Sequence, residues 1–392
     1  MIPVFKYYIH AQKQRDYFAR ILTQDILEDI CMRITGHKTF LVHEMSEGYN
    51  KGRLLILEYC GVKNYITLSE QTIKGRNSSM QSVPTAMNIF YSDTNSQKQL
   101  YYYFLPNLQG NPFTEYHLSY YRLLLTSGLL FLNLPKRYRL LPYSSIDEFI
   151  IDRDDNRNSN RSNNSSYITK ERGRIQIFAK VFGANKYEST LFGIVSSKLA
   201  MMSGKRVELY NINEQDLKRL PESSIKTLLN LGNVDIIDTS YTMERNRFNE
   251  DSSITLRSPL YNYNLLQRLG HKKCVMCGCE IPEIIQGSHI WGVSMIKNSS
   301  LSDDDKFKHS INAHNGVWLC SNHHKLFDSH IIALNQDGRV RVREDLPHSD
   351  RSFIESITPN TILPNRVLSN EMQKYINMRN SQIPNWRYNL LR

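Results

Sequence analysis

The sequence predicts a mixed α+β protein, with its chemistry concentrated toward the C-terminal end. Three observations carry this. Apolar residues recur at helix spacing near the start, strands and helices alternate through the middle, and two pairs of soft metal ligands cluster late in the chain. At 392 residues the chain has room for about two or three domains.

Phe18, Ile21, Leu22, Ile26 and Ile30 follow a helical period. Arg20, Asp25, Glu28 and Asp29 interrupt the apolar run, which makes it an amphipathic helix and not a signal peptide. No run approaches the ~18 apolar residues of a membrane span, so no membrane partner is expected and the cytoplasm is the expected location. Residues 53–60 and 64–68 read as strands around a turn at Gly61. Residues 87–91 and 100–105 read as a second hairpin across the polar stretch 92–99. The Leu- and Tyr-rich stretch 118–134 is expected to be buried.

Residues 152–172 are dominated by Asn, Ser and Arg and read as a polar loop or linker. After them come a strand (174–178), a turn (183–185), a helix (187–202), a strand (207–210), a helix (221–231) and a strand (234–237), a small α/β unit. Its segment KVFGANKYES lacks the spacing and the Lys-Ser/Thr ending of a phosphate loop, which excludes that kind of nucleotide site. The expected organisation is therefore an N-terminal α/β region (1–151), the linker (152–172), the small unit (173–260), a C-terminal domain (261–346) and a basic tail (347–392).

The net charge of +11 suits a polyanionic partner. Its distribution is uneven. Residues 271–345 hold nine basic and nine acidic side chains and are neutral, residues 346–392 carry +3, and residues 1–270 carry +8. A polyanion would be gripped mainly outside 271–345.

Cys31 and Cys60 stand apart and read as small buried apolar residues. Cys274 and Cys277, with Cys320 and His323, form two pairs of soft ligands spaced two residues apart. Each pair can supply two corners of a tetrahedron, which suits a structural Zn2+ closed to solvent. Such a clip pins together a module too small for a large core. Cys279 is one residue off the pattern and reads as spare.

A second set interleaves with the first: His289 in Ser288-His289-Ile290, Asn315 in Asn315-Gly316-Val317-Trp318-Leu319-Cys320, and His324 and Asp328 in His323-His324-Lys325-Leu326-Phe327-Asp328. These three pieces, in this order, resemble the HNH (ββα-metal) endonuclease family. The resemblance implies that His289 activates water, that Asn315 orients it through the intervening loop, and that His324 holds a divalent cation, Mg2+ or Mn2+. Asp328, one helical turn beyond His324, shares its face and can hold the same ion. The family often places a carboxylate immediately before the base; here that residue is Ser288. His330 reads as a residue at the helix end, and His309 and His314 as bystanders.

A large preceding region with a C-terminal HNH domain resembles a type II restriction endonuclease. That implies site-specific cleavage of double-stranded DNA, a homodimer, a partner methyltransferase and a role in phage defence. Two other readings stay open: a modification-dependent or signal-activated anti-phage nuclease, and a non-catalytic zinc-stabilised DNA-binding protein.

Overall fold

The computed structural model describes residues 1–8, 21–45, 54–69, 76–106, 113–157, 166–180, 185–213, 220–250, 258–384 and 387–391. In chain order the first elements are β1 (Val4–Tyr8), α1 (Gln24–Thr35), β2 (Leu41–Met45), β3 (Leu54–Tyr59), β4 (Val62–Leu68), α2 (Arg76–Ser92), β5 (Lys98–Tyr103), α3 (Glu115–Ser127), β6 (Leu130–Leu132) and α4 (Ile146–Arg157). The strands among them form one sheet of order β2-β1-β3-β4-β5-β6. The β3–β4 pair is antiparallel, as expected. Gly61 at φ 80 makes its turn, a left-handed conformation that glycine takes without strain. Leu27, Ile30 and Cys31 are the buried face of α1, and they pack with Phe5, Leu55, Leu57 and Ile66 of the sheet. Phe18 lies outside the described residues.

Three expectations need correction here. Residues 87–91 are not a strand: Val83, Ala86 and Met87 are buried on α2 and the partly buried Phe90 continues their spacing, a helical stripe that the short window cut in half. β5 accordingly pairs parallel with β4 and has no hairpin partner at 87–91. Cys60 is exposed in the β3–β4 turn at φ 48 and fills no core.

The next elements are β7 (Ser166–Glu171), β8 (Arg174–Lys180), α5 (Asn185–Met201), β9 (Val207–Asn213), α6 (Glu222–Asn230) and β10 (Val234–Ser240). The expected strand–helix–strand–helix–strand order is present, with β7 added, and the sheet order is β10-β9-β8-β7. The polar stretch 152–172 contains regular structure. It begins inside α4 and ends in β7, where residues 166–170 are all buried; residues 158–165 lie outside the described set, as does most of the turn at 183–185.

The remaining elements are α7 (Tyr241–Glu250), α8 (Pro259–Leu269), β11 (Ile285–His289), α9 (Val293–Lys297), α10 (Asp303–Ile311), β12 (Gly316–Cys320), α11 (Ser321–Asp328), β13 (Ile332–Leu334), β14 (Val340–Arg343), α12 (His348–Ile357), α13 (Asn370–Asn380) and β15 (Tyr388–Leu390). β11 and β12 pair antiparallel, with His289 opposite Gly316 and Ile285 opposite Cys320. β13, β14 and β15 form a second small antiparallel sheet.

The residues divide into two units. One comprises Met1–Ser166, Ala179–Leu209 and Arg219–Ile236; the other comprises Tyr167–Phe178, Tyr210–Lys218 and Ile237–Arg392. In the first, Asn88 of α2 donates to Ser224 (2.9 Å) and accepts from Thr227 (2.9 Å) of α6, a buried polar tie between helices. In the second, Trp318, Phe327, Tyr261, Tyr263 and Phe307 are fully buried large side chains around β11 and β12. Lys272 donates to Glu171 at 2.9 Å and Lys170 pairs with Glu283 at 3.2 Å, which fastens the β7–β8 hairpin within this unit. Among the described residues no helix is long and apolar enough to cross a membrane.

Candidate active site and metal cluster

The chain turns tightly after Cys274, where the Gly278 N–H donates to the Cys274 carbonyl at 2.8 Å and the Cys274 N–H to the Cys279 carbonyl at 2.8 Å. This turn faces the β12–α11 junction. The ligand atoms of Cys274, Cys277, Cys320 and His323 all lie within 4.8 Å of one another. Cys277 Sγ is 3.7 Å from Cys320 Sγ, and His323 Nδ1 is 3.6 Å from Cys274 Sγ and 3.1 Å from Cys320 Sγ. A tetrahedral zinc with Zn–S bonds near 2.3 Å has S–S edges of roughly 3.8 Å and S–N edges of roughly 3.5 Å, so the four residues fit that ion. Cys279 is not among them.

Second-layer contacts support the same use. The Thr358 hydroxyl donates to the Ile354 carbonyl at 2.7 Å, so its oxygen accepts from His323 Nε2 at 3.0 Å. Nε2 therefore carries the ring hydrogen and Nδ1 presents its lone pair to the cysteines. Asn360 binds the turn itself, through its N–H to the Met276 carbonyl at 3.0 Å and its amide to the Val275 carbonyl at 3.2 Å. Burial first, then the neighbouring thiols, push the Cys277 thiol up to about 12. Packed thiols of this kind resist ionising unless a cation joins them.

His289 ends β11. Its Nε2 lies 2.7 Å from the Ser310 carbonyl oxygen, and its ring stacks on Tyr261 with centroids 3.9 Å apart and planes 12° apart. Tyr261 reaches it because α8 lies against bare backbone. A Cβ at Gly316 would sit 2.1 Å from the Tyr261 hydroxyl oxygen, and one at Gly287 would sit 2.6 Å from Leu265 Cδ1. Asn315 is fully buried. Its Oδ1 accepts from the Trp291 N–H at 2.7 Å, and its Nδ2 donates to the Trp291 and His309 carbonyls at 3.1 and 3.2 Å. None of these side-chain hydrogen bonds goes to His289. Asn315 clamps the residues that follow His289 and the residue before Ser310, the carbonyl that orients the imidazole.

His324 Nδ1 lies 3.4 Å from Asp328 Oδ2 across one turn of α11. His289, His324 and Asp328 line one cavity of about 690 Å³. Its other walls include Arg172, Gln176 and Tyr210, together with His330 and Arg379. Two donors this close can share one divalent cation and leave its other positions open. Ser288 stays out of this site: its hydroxyl is fully buried and has no hydrogen-bond partner, and strand alternation sends it to the face opposite His289.

His309 and His314 are engaged elsewhere, with the Tyr375 hydroxyl (2.8 Å) and the Ser369 hydroxyl (2.7 Å). His330 does follow the helix end. It also lines the cavity, and burial and then the charge of Arg379 hold its imidazole below the ordinary range. Sequence reasoning missed Tyr261, Thr358 and Arg379. Tyr261 had a signal: Ser258 before Pro259 is a helix-start pair, and the Ser258 hydroxyl accepts the Leu260 N–H at 3.2 Å.

No curated protein matches the chain. Residues 274–335, the stretch that holds Cys274, Cys277, His289, Asn315, Cys320, His323, His324 and Asp328, match the family model of HNH endonucleases.

Proposed function

We propose that the protein is a metal-dependent DNA endonuclease of the ββα-metal type, with His289 as general base. One observation carries the reading: His289, His324 and Asp328 share the wall of an open cavity, next to a separate, closed Cys3His cluster. A carbonyl oxygen only accepts, so the contact with Ser310 puts the ring hydrogen of His289 on Nε2 and the lone pair on Nδ1. Nδ1 then takes a proton from the water that attacks the phosphorus. Tyr261 stops the ring from tilting, and Asn315 fixes the carbonyl that selects the tautomer. His324 and Asp328 hold the divalent cation, Mg2+ or Mn2+, which when bound supplies Lewis-acid stabilisation to the phosphate and the leaving 3′-oxygen. Cys274, Cys277, Cys320 and His323 hold a structural zinc.

The charge distribution supports a site-specific enzyme of the type II restriction class. The nuclease region is neutral, and the +8 of residues 1–270 is available to grip phosphates and position side chains on bases. Two strands are cut by two active sites, for which a homodimer is the economical arrangement. A partner methyltransferase protecting host DNA belongs to the same proposal, as does phage defence.

The test is digestion of a long phage DNA with Mg2+ by wild type and by His289→Ala. Discrete bands from wild type, and cleavage slowed roughly 10²- to 10⁴-fold in the variant, are expected. A smear would overturn site specificity. Absence of cutting by wild type with either Mg2+ or Mn2+ would overturn the nuclease reading.

A further inference from the structure

Arg379 and His330 share the cavity with His289 and have no part in the chemistry described so far. Arg379 comes from α13, beyond the stretch that matches the HNH model, and is only 3% exposed. Its guanidinium carbon sits 3.8 Å from the centroid of the Phe327 ring. Nη1 donates to the Ile290 carbonyl at 3.2 Å, and Nη2 donates to the Phe327 carbonyl and to His330 Nδ1, the latter at 3.0 Å. None of these acceptors is an anion. Asp328 acts on Arg379 from a distance, but among the described residues no carboxylate forms an ion pair with it, and its buried Nε has no hydrogen-bond partner. A buried cation is costly unless an anion compensates it. Here it lines the one cavity where the proposed reaction brings a phosphodiester.

His330 lines the same cavity and accepts directly from this cation. Its backbone is in the left-handed region, φ 55, which a residue with a Cβ adopts at a cost. The surroundings impose it: the His330 N–H donates to the Phe327 carbonyl at 3.1 Å, and the Tyr388 hydroxyl donates to the His330 carbonyl at 2.7 Å. Arginine cannot accept a hydrogen bond, so Nδ1 of His330 must hold its lone pair toward Arg379, and the ring hydrogen is on Nε2. A donor polarised from behind by a cation makes a stronger hydrogen bond to an anion.

We propose that His330 donates Nε2–H to a non-bridging oxygen of the scissile phosphate, with Arg379 as the positioning residue that sets its tautomer and lends it charge; this rests on the nuclease reading above. His330 is then a fourth wall residue acting on the substrate, opposite in role to His289: one donates to the phosphate, the other takes the proton of water.

The backbone supplies a clean test, because glycine accepts φ 55 without strain. His330→Gly relieves the strain but takes one acceptor from Arg379, so it should remain folded at the assay temperature yet cleave phage DNA in Mg2+ roughly 10- to 100-fold more slowly in a single turnover, the usual range for loss of a supporting group at a metal site. His330→Asn should recover part of the rate, since its Oδ1 can accept from Arg379 while Nδ2 donates onward. Arg379→Gln should slow the wild-type background and add little to His330→Gly, a coupling that a purely structural arginine does not produce. The proposal falls if His330→Gly cuts at the wild-type rate while His289→Ala is silent. It falls equally if Arg379→Gln slows both backgrounds by the same factor. If wild type itself cuts nothing, the nuclease reading fails first.

Discussion

His323 and His324 are neighbours on α11, and their surroundings differ completely. Successive helical residues point about 100° apart. His323 is fully buried, its ring held between two cysteine sulfurs and the Thr358 hydroxyl. His324 is partly exposed on the cavity wall, beside a carboxylate, Asp328, that is 52% exposed. A ligand set with all four corners filled leaves no position for a substrate, whereas a pair on an open wall leaves several. One short helix thus serves a closed cluster suited to holding the fold and an open site suited to chemistry. Removing a ligand from the first should cost structure, and disturbing the second should cost rate.

The largest expected effect comes from the closed side. Zinc binding to sites of this kind is worth roughly 10–16 kcal/mol, comparable to or above the whole stability of a domain. Wild type should therefore carry about one zinc ion per chain, Cys274→Ser should carry none, and the unit that contains Cys274 should unfold in the variant. Metal analysis with thermal unfolding reads both. A folded, zinc-free and active Cys274→Ser variant would erase the distinction between the two histidines.

How legible each side was depends on how local its signal is. The cluster ligands sit two residues apart on single turns, and His324 and Asp328 sit four apart on one helix, so spacing alone pairs them. The residues that make those groups usable come from far away in the chain. Tyr261, Thr358 and Arg379 are single side chains on or just beyond α8, α12 and α13, and one residue has no period. Asn315 was expected to act on His289 through the loop, and its three hydrogen bonds to Trp291 and His309 supply a route. The fold was least legible where composition hid the pattern. Residues 166–170 are wholly buried in β7, yet Asn, Ser and Arg dominate the stretch around them. The two units also interleave along the chain, which consecutive segments cannot express.

Asn315→Ala offers an intermediate effect on the open side. It would leave the Trp291 N–H and two carbonyls without partners in a buried place, a loss of roughly 2–4 kcal/mol. The loop carrying the Ser310 carbonyl would loosen, and His289 would lose its fixed tautomer. Cleavage should slow by about 10- to 100-fold at a temperature where the variant is still folded, with zinc content unchanged. A destabilised variant that keeps the wild-type turnover would make Asn315 a brace of the fold with no influence on the base.

Thr358→Val is the smallest change and the sharpest on the closed side. Valine keeps the shape of threonine and removes one oxygen, the atom that accepts His323 Nε2–H and donates to Ile354. With that acceptor gone, nothing holds the ring hydrogen on Nε2, and the Nδ1 lone pair is no longer committed to the cluster. Loss of such a partner lowers metal affinity by roughly 10- to 100-fold. Thr358→Ser keeps the hydroxyl and should hold zinc nearly as tightly as wild type. Competition against a chromophoric chelator separates the two variants. Mg2+-dependent cleavage by zinc-loaded Thr358→Val should match wild type, because Thr358 does not line the cavity. Equal zinc affinity in all three proteins would show that His323 needs no partner to present Nδ1. A loss of turnover in the zinc-loaded valine variant would show that the closed cluster and the open site are coupled through α11.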